Sequence, residues 1–492
     1  MSQCQRHRFG VAVFLVLIFA LYLSWARVLP FDTGPDERMR YLIALFIYHN
    51  GSLPSGVEPA IRDGIWGTSY GFEPIVSYLI GAGFMKVASL FSTEGPVLLL
   101  AARLASILFS TGTIAMCILI SRKLFTGVYR WVFVLSVAVL PEFAFISAYV
   151  NNDALALFST SVIVYAWIRA RETQWSTPSC VLLGAGISIC SLSYYNAYGF
   201  ILCSMLLYLA DRVATRRGLV RTRAPAQLPH DDPADPALST DSTAVSVKGS
   251  VAAQLPDGAA SPQAIRRFWR GSGRQVAVIV AVFVVLAGWW FVRNAILYDG
   301  DFLGLRTSDQ YGKQYGVGEG KPGAGAAVNR GWSMREMLLN LKWLQHSFES
   351  FIAVFGYMNI FVPIGIYVGY ALLWAIAAVG VLVLVVKRVR HVATTNGPKD
   401  ILLGLVLFVT IPIPIVLSLY HSYWVDFQPQ GRYLMPMLVP FMIFVTWGLE
   451  QLIELFPARL ATLKRAIPVT VCGAQVLVCG YCLVGVLVPL YS

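Results

Sequence analysis

Residues 362–386 read VPIGIYVGYALLWAIAAVGVLVLVV, with no charged side chain before Lys387, Arg388 and Arg390. At about 1.5 Å of rise per residue, a helix of this length reaches across the ~30 Å of a bilayer's hydrocarbon core. A surface helix of a soluble protein would show polar residues on one face at each turn, and this run shows none. Backbone groups in hydrocarbon must satisfy one another, so the run is read as a transmembrane helix.

Working outward, similar runs occur at 10–26, 98–120, 131–149, 153–170, 178–194, 197–210, 275–293, 402–420, 433–450 and 467–489. With 362–386 they make 11 expected crossings. The expected fold class is therefore an all-α polytopic membrane protein with interfacial helices in its outer loops. Composition agrees: 57% of the 492 residues are hydrophobic and 13% are charged, against roughly 25% charged in a soluble domain. A transmembrane β-barrel is excluded, because its strands are ~10 residues long and alternate in polarity. A secreted disulfide scaffold is excluded as well. Most of the eight cysteines lie inside apolar runs, where a thiol behaves as a small hydrophobe.

The net charge of +12 reflects orientation rather than a nucleic-acid partner. Basic residues cluster at Arg6/Arg8, Arg122/Lys123/Arg130, Arg169/Arg171, Arg212 to Arg274, Lys387/Arg388/Arg390 and Arg459/Lys464/Arg465, always between apolar runs. That is the positive-inside pattern. It places the N-terminus inside and the C-terminus outside, provided that 72–92 lies in the interface or only dips into the membrane. The first run is read as an uncleaved span, since no small-x-small cleavage site follows it. Loops 28–71 and 294–361 then face outward. Residues 218–273, rich in Ala, Pro, Asp, Ser and Arg, read as a disordered cytoplasmic linker between membrane regions 1–217 and 274–492.

Charged residues at span ends carry the functional hypotheses, because charge beside hydrocarbon is costly. Asp36 and Glu37 follow the first span, and an acid pair there either stabilises a helix N-terminus or supplies a carboxylate base. Asn151-Asn152-Asp153 offers a helix cap or a substrate contact, and Asp36 with Asp153 leaves a shared divalent ion open. Arg432, in Gln430-Gly431-Arg432-Tyr433, and Arg293, after Trp289-Trp290, suit a phosphate, as does Arg103. Glu73, Asn152, Asn294, His421 and Tyr433 are candidate substrate contacts. Gly318 to Gly323 fits GxGxxG literally but lacks a preceding strand, and is read as a flexible loop. No GK[ST] loop, HExxH or paired CxxC occurs.

Several pieces together resemble the GT-C superfamily of membrane glycosyltransferases, in particular its bacterial mannosyltransferase-like and aminoarabinose-transferase-like branches. They are Gly34-Pro35-Asp36-Glu37, Asn151-Asn152-Asp153-Ala154-Leu155, Trp289-Trp290-x-x-Arg293-Asn294, Ser350-Phe351 with Phe355-Gly356-Tyr357, and Gln430-Gly431-Arg432-Tyr433-Leu434-x-Pro436. Where relatives often have His three residues after the acidic pair this chain has Arg40, and the usual Pro-Pro-Leu reads Glu73-Pro74-Ile75. The resemblance implies an enzyme that takes a sugar from a polyprenyl-phosphate donor and passes it to a glycan, lipid or protein acceptor. It implies catalytic roles for Asp36, Glu37 and Asp153, and donor phosphate held by Arg432, Arg293 and Arg103. No resident cofactor is expected, and the expected setting is a bacterial inner membrane with the site facing the periplasm. A lipid-linked saccharide transporter and a pyrophosphate-donor polymerase or ligase are the rival readings.

Overall fold

The computed structural model describes residues 3–221, 262–390 and 401–491. The chain is nearly all helical. Helix α1 spans Gln3–Val28, and after the acidic turn α2 covers Glu37–Asn50. Then come α3, Val76–Ala88, and α4, Gly95–Leu124. The next segment is split into α5, Tyr129–Ala138, and α6, Pro141–Ile146, because Pro141 opens a new helix instead of continuing the old one. Helices α7 (Asp153–Glu172), α8 (Thr177–Ser191) and α9 (Gly199–Arg221) complete the N-terminal half.

The C-terminal half starts with α10, Pro262–Phe283, which runs through a π turn at Val284–Gly288 into α11, Trp289–Leu297. Helix α12 (Leu305–Tyr315) and helix α13 (Trp343–Ala353) lie in the loop that follows. A short hairpin pairs β1 (Val354–Phe355) with β2 (Ile360–Phe361), antiparallel, with Val354 opposite Phe361. Then follow α14 (Ile364–Val389), α15 (Ile401–Val409), α16 (Pro412–Trp424), α17 (Leu438–Glu454), α18 (Ala461–Tyr481) and α19 (Val488–Tyr491).

Among the described residues, nine helical runs are long and apolar enough to cross a membrane. They match nine of the 11 expected segments. The other two, 131–149 and 178–194, are the Pro-split pair α5–α6 and the 15-residue α8. Leu17, Leu372, Leu382 and Leu477 stand exposed on helix faces, a surface that only hydrocarbon would cover without penalty. The protein is a multi-pass membrane protein. Helix α3, only 13 residues long, spans about 20 Å, short of a full hydrocarbon crossing. Of the expected linker 218–273, residues 222–261 lie outside the described residues. Residues 218–221 end α9 and 262–273 open α10, where Phe268 and Trp269, flanked by arginines, begin the apolar run that continues to Leu297.

Two helices form the centre. Most of α7 and of α17 is buried, and α7 tolerates Ser159, Thr160 and Ser161 because each hydroxyl donates to a carbonyl three residues back in its own helix. Helix α7 packs on α4 and α8, while α17 packs on α14 and α5. The α14–α17 crossing is so close that a Cβ on Gly380 would collide with Gly448 backbone. Small residues at helix crossings in a membrane permit this approach.

Candidate active site

The site is assembled at one end of the bundle from the first loop, the start of α7, the segment before α17 and the long loop between α11 and α14. The first loop turns sharply. Asp32 (φ 64°) and Asp36 (φ 62°) both hold left-handed backbone conformations, which cost non-glycine residues of the order of 1 kcal/mol or more. Gly34 lies flat beneath Tyr149, where any Cβ would strike the ring. The turn is held by Asp32, whose Oδ1 accepts the Arg38 N–H at 3.1 Å and the Tyr357 hydroxyl of the β-hairpin at 2.7 Å.

Asp36 and Glu37 diverge from there. Glu37 is fully buried and accepts two hydrogen bonds from Arg103, from Nε at 2.7 Å and from Nη2 at 2.8 Å. It also accepts the backbone N–H groups of Asp32 and Val150. The remaining Arg103 donors reach the carbonyls of Ala26, Leu29 and Pro30. Both groups are spent on each other and on backbone, stitching the end of α1 to α2 and α4. The structure places Glu37 and Arg103 away from the cleft lining, as a buried pair that ties down the first loop.

The Asp36 carboxylate is 26% exposed and accepts Nη2 of Arg432 at 2.7 Å. Arg40 Nη2 lies 3.7 Å away on the same helical face. Burial pushes the Asp36 carboxyl up, but Arg432 and Arg40 outweigh it and hold it below its ordinary value. Asp153, at the first turn of α7, accepts Arg40 Nη1 at 3.0 Å. The cap of α7 is made by its neighbour Asn151, whose Oδ1 accepts the Ala154 N–H at 2.9 Å. Asn152 donates to the Ser193 carbonyl at 3.3 Å and approaches Glu73 at 3.5 Å, while its Oδ1 has no partner. Burial, with Asp36 and Asp153 nearby, pushes the Glu73 carboxyl up to about 7 despite the opposing Arg40.

Arg432 enters from the segment before α17. Gly431 ahead of it donates its N–H to Ser350 Oγ at 2.9 Å and lies so close to the Phe351 backbone that no side chain would fit. Arg432 Nη1 donates to the Pro35 carbonyl at 3.3 Å and Nη2 also to the Tyr433 hydroxyl at 3.0 Å, leaving Nε without a partner. Tyr433 hydrogen-bonds Gln428, which donates to Asp426 at 2.5 Å. The rings of Tyr194 and His421 lie on either side at 6.5 and 6.1 Å from Tyr433.

An open cleft of about 360 Å³ is lined by Asp36, Tyr70, Glu73, Tyr194, His421 and Tyr433, among others, with Arg40, Asp153 and Arg432 set behind its wall. Its far wall comes from α12 and the Gly-rich segment 318–325, which is bonded to the first loop and to the residues after α16: Val317 N–H to Ile65 carbonyl, Phe427 N–H to Gly325 carbonyl. The segment read as a flexible loop thus supplies Glu319 and Lys321 to the cleft. Arg293 and Asn294 do not line it. Arg293 instead donates to the Pro54 carbonyl at 2.6 Å and to Asn294 Oδ1, bracing the first loop from behind. Arg40, Tyr70, Tyr194 and Gln428 were not singled out as site residues from the sequence. Only Arg40 carried a readable signal, four residues from Asp36.

The donor set does not suit a divalent ion. Asp36 and Asp153 share Arg40 instead, and among the described residues no three His, Cys, Asp or Glu side chains are arranged to hold a metal.

No protein-family model matches the chain, and no curated protein matches it in sequence. Solved structures do resemble it. The archaeal oligosaccharyltransferase AglB from Archaeoglobus fulgidus, in complex with an inhibitory peptide and a dolichol-phosphate, aligns with a TM-score of 0.51 at 12% identity, over 98% of this chain and 56% of that one. The same enzyme in complex with Zn and sulfate aligns at 0.51 and 12%, over 94% and 52%. ArnT from Cupriavidus metallidurans, bound to undecaprenyl phosphate, aligns at 0.49 and 14%, over 98% and 73%. The fold is GT-C-like. The chain spans about half the length of AglB, and the shared fold leaves the activity to be argued from the site.

Proposed function

We propose that the chain is an integral-membrane glycosyltransferase that moves a sugar from a polyprenyl-phosphate donor to a cell-envelope acceptor on the periplasmic side of a bacterial inner membrane. The observation that carries this reading is the Asp36–Arg432 pair: a carboxylate that lines a cleft at the end of the bundle, held at 2.7 Å by a buried guanidinium behind it. A dolichol-phosphate bound by a protein of the same fold supports a lipid-phosphate donor.

In this reading the isoprenoid tail lies among the spans and the sugar enters the cleft. The acceptor hydroxyl or amine attacks the anomeric carbon from the face opposite the phosphate. The bond between that carbon and the phosphate oxygen breaks, its electron pair leaves with the polyprenyl phosphate, and configuration inverts. Asp36, ionised at neutral pH, takes the acceptor's proton. Arg432, beside Asp36, stabilises the charge developing on the phosphate. The glycosyl–phosphate bond supplies the driving energy.

The test is release of polyprenyl phosphate. Purified protein in lipid nanodiscs receives a panel of polyprenyl-phosphate sugars and an envelope glycolipid extract, beside Asp36→Asn. Release that needs the extract and vanishes in the variant is expected. No release from any donor by folded protein would move the reading to a transporter or to a pyrophosphate-linked donor.

A further inference from the structure

Three carboxylates from three separate elements surround Arg40: Asp36 at the N-terminus of α2, Glu73 just before α3 and Asp153 at the start of α7. Acids gathered in a buried place repel one another and require a counter-charge. Asp36 and Asp153 are the oxygen donors that a shared divalent cation would use. In this chain the space between them is already filled. Arg40 has no exposed surface, and its guanidinium contacts Asp153 at 3.0 Å and Asp36 at 3.7 Å. It is braced by the Tyr70 hydroxyl at 3.5 Å, and the Tyr70 ring lies under its carbon at 4.8 Å. Arginine keeps its charge at any pH that a protein survives, and its planar fork fits two carboxylates where a lysine offers a point charge.

We propose that Arg40 is a positioning residue that serves as the built-in counter-cation of this site, joining Asp36 to Asp153, so that transfer by this chain requires no divalent metal. The inference rests on the reading of Asp36 as the base. Arg40 lies 3.7 Å from the Asp36 carboxylate, an ion pair beyond hydrogen-bond reach, so it supplies the counter-charge without coordinating the oxygen directly as a metal would. The charged and titratable groups facing Asp36 are Arg40 on α2, Tyr70 of the first loop, Glu73 before α3, Tyr78 on α3, Asp153 on α7, Tyr357 of the hairpin, and Arg432 with Tyr433 before α17. Of these, Arg40 alone contacts both Asp36 and Asp153.

Two arms test it. In the first, Mn²⁺ binding to the purified wild type in nanodiscs is followed by electron paramagnetic resonance, beside Asp153→Asn. Identical titrations are expected, and Mn²⁺ binding that Asp153→Asn removes would overturn the proposal. This arm needs no activity, so it stands even if no donor turns over and the proposed function fails. In the second, transfer is measured with and without a chelator in wild type, Arg40→Lys and Arg40→Gln. Wild-type rates should change less than about twofold on chelation. Arg40→Lys should keep more activity than Arg40→Gln, and Arg40→Gln should move the acidic limb of the pH–rate profile upward by about one unit or more. Activity restored by a divalent ion after chelation of the wild type, or an acidic limb unmoved in a folded Arg40→Gln, would overturn it.

Discussion

Asp36 and Glu37 are neighbours in the chain, and each meets an arginine, yet the two ion pairs are built for different ends. At Glu37 everything is completed: both carboxylate oxygens accept two hydrogen bonds, and all five N–H donors of Arg103 find acceptors. At Asp36 the pairing is left unfinished. The carboxylate is 26% exposed and Arg432 keeps an unpartnered Nε. A fully satisfied buried pair rigidifies its surroundings, whereas an incomplete one retains capacity for a further partner. One residue of offset along the chain separates a fully enclosed carboxylate from one that lines the cleft.

The comparison can be broken most sharply at Asp36. Asp36→Asn keeps the shape and removes the base, so polyprenyl-phosphate release should fall by about 10²–10⁴-fold, with donor binding retained in a lipid-binding assay. The mirror-image change, Glu37→Gln, leaves Arg103 buried without its counter-charge and should destabilise the fold by about 3–5 kcal/mol. A thermal midpoint in nanodiscs reads that loss, and turnover per folded molecule should stay well above that of Asp36→Asn.

Glu73 sharpens the distinction by pH. Its carboxyl, raised from 4.5 to about 7, holds its proton more tightly in the folded chain than in the unfolded one. Its contribution to stability is therefore fully present below about 4.5 and is lost as pH rises through 7. The thermal midpoint of the wild type should fall over that window, and Glu73→Gln should flatten that part of the curve. Asp36 has the opposite sign, since its lowered value contributes stability at neutral pH that is lost under acid. The smallest effect is expected at Tyr357→Phe, which deletes the exposed bond to Asp32. It should cost about 1 kcal/mol or less, read as a slight drop in thermal midpoint.

The helices were legible because hydrocarbon imposes both a length and a charge-free interior, and runs such as 98–120 and 362–386 state both. The break at Pro141 shortened an expected span for a local reason. Within the site, Asp36, Asp153 and Arg432 were readable as polar residues at span ends. Their pairings were not, because the partners lie 113 and 396 positions apart. The partners of Arg103 were hidden for the same reason. An arginine inside an apolar run looks like an anion site, and only the fold reveals the three carbonyls and the carboxylate waiting for it. Arg293 suited a phosphate on paper and instead braces Pro54. The glycines of 318–325 carried no chemical signal, since their service is to let two loops touch.

The span of 396 positions between Asp36 and Arg432 also sets the timing of assembly during synthesis. Arg40 and Asp153 can join Asp36 once the N-terminal third has been inserted. Arg432 arrives only after a further 396 positions beyond Asp36 have been made, as does the segment after α16 that completes the cleft. A growing or truncated chain therefore holds Asp36 and Asp153 already paired with Arg40 but lacks Arg432 and the segment that completes the cleft.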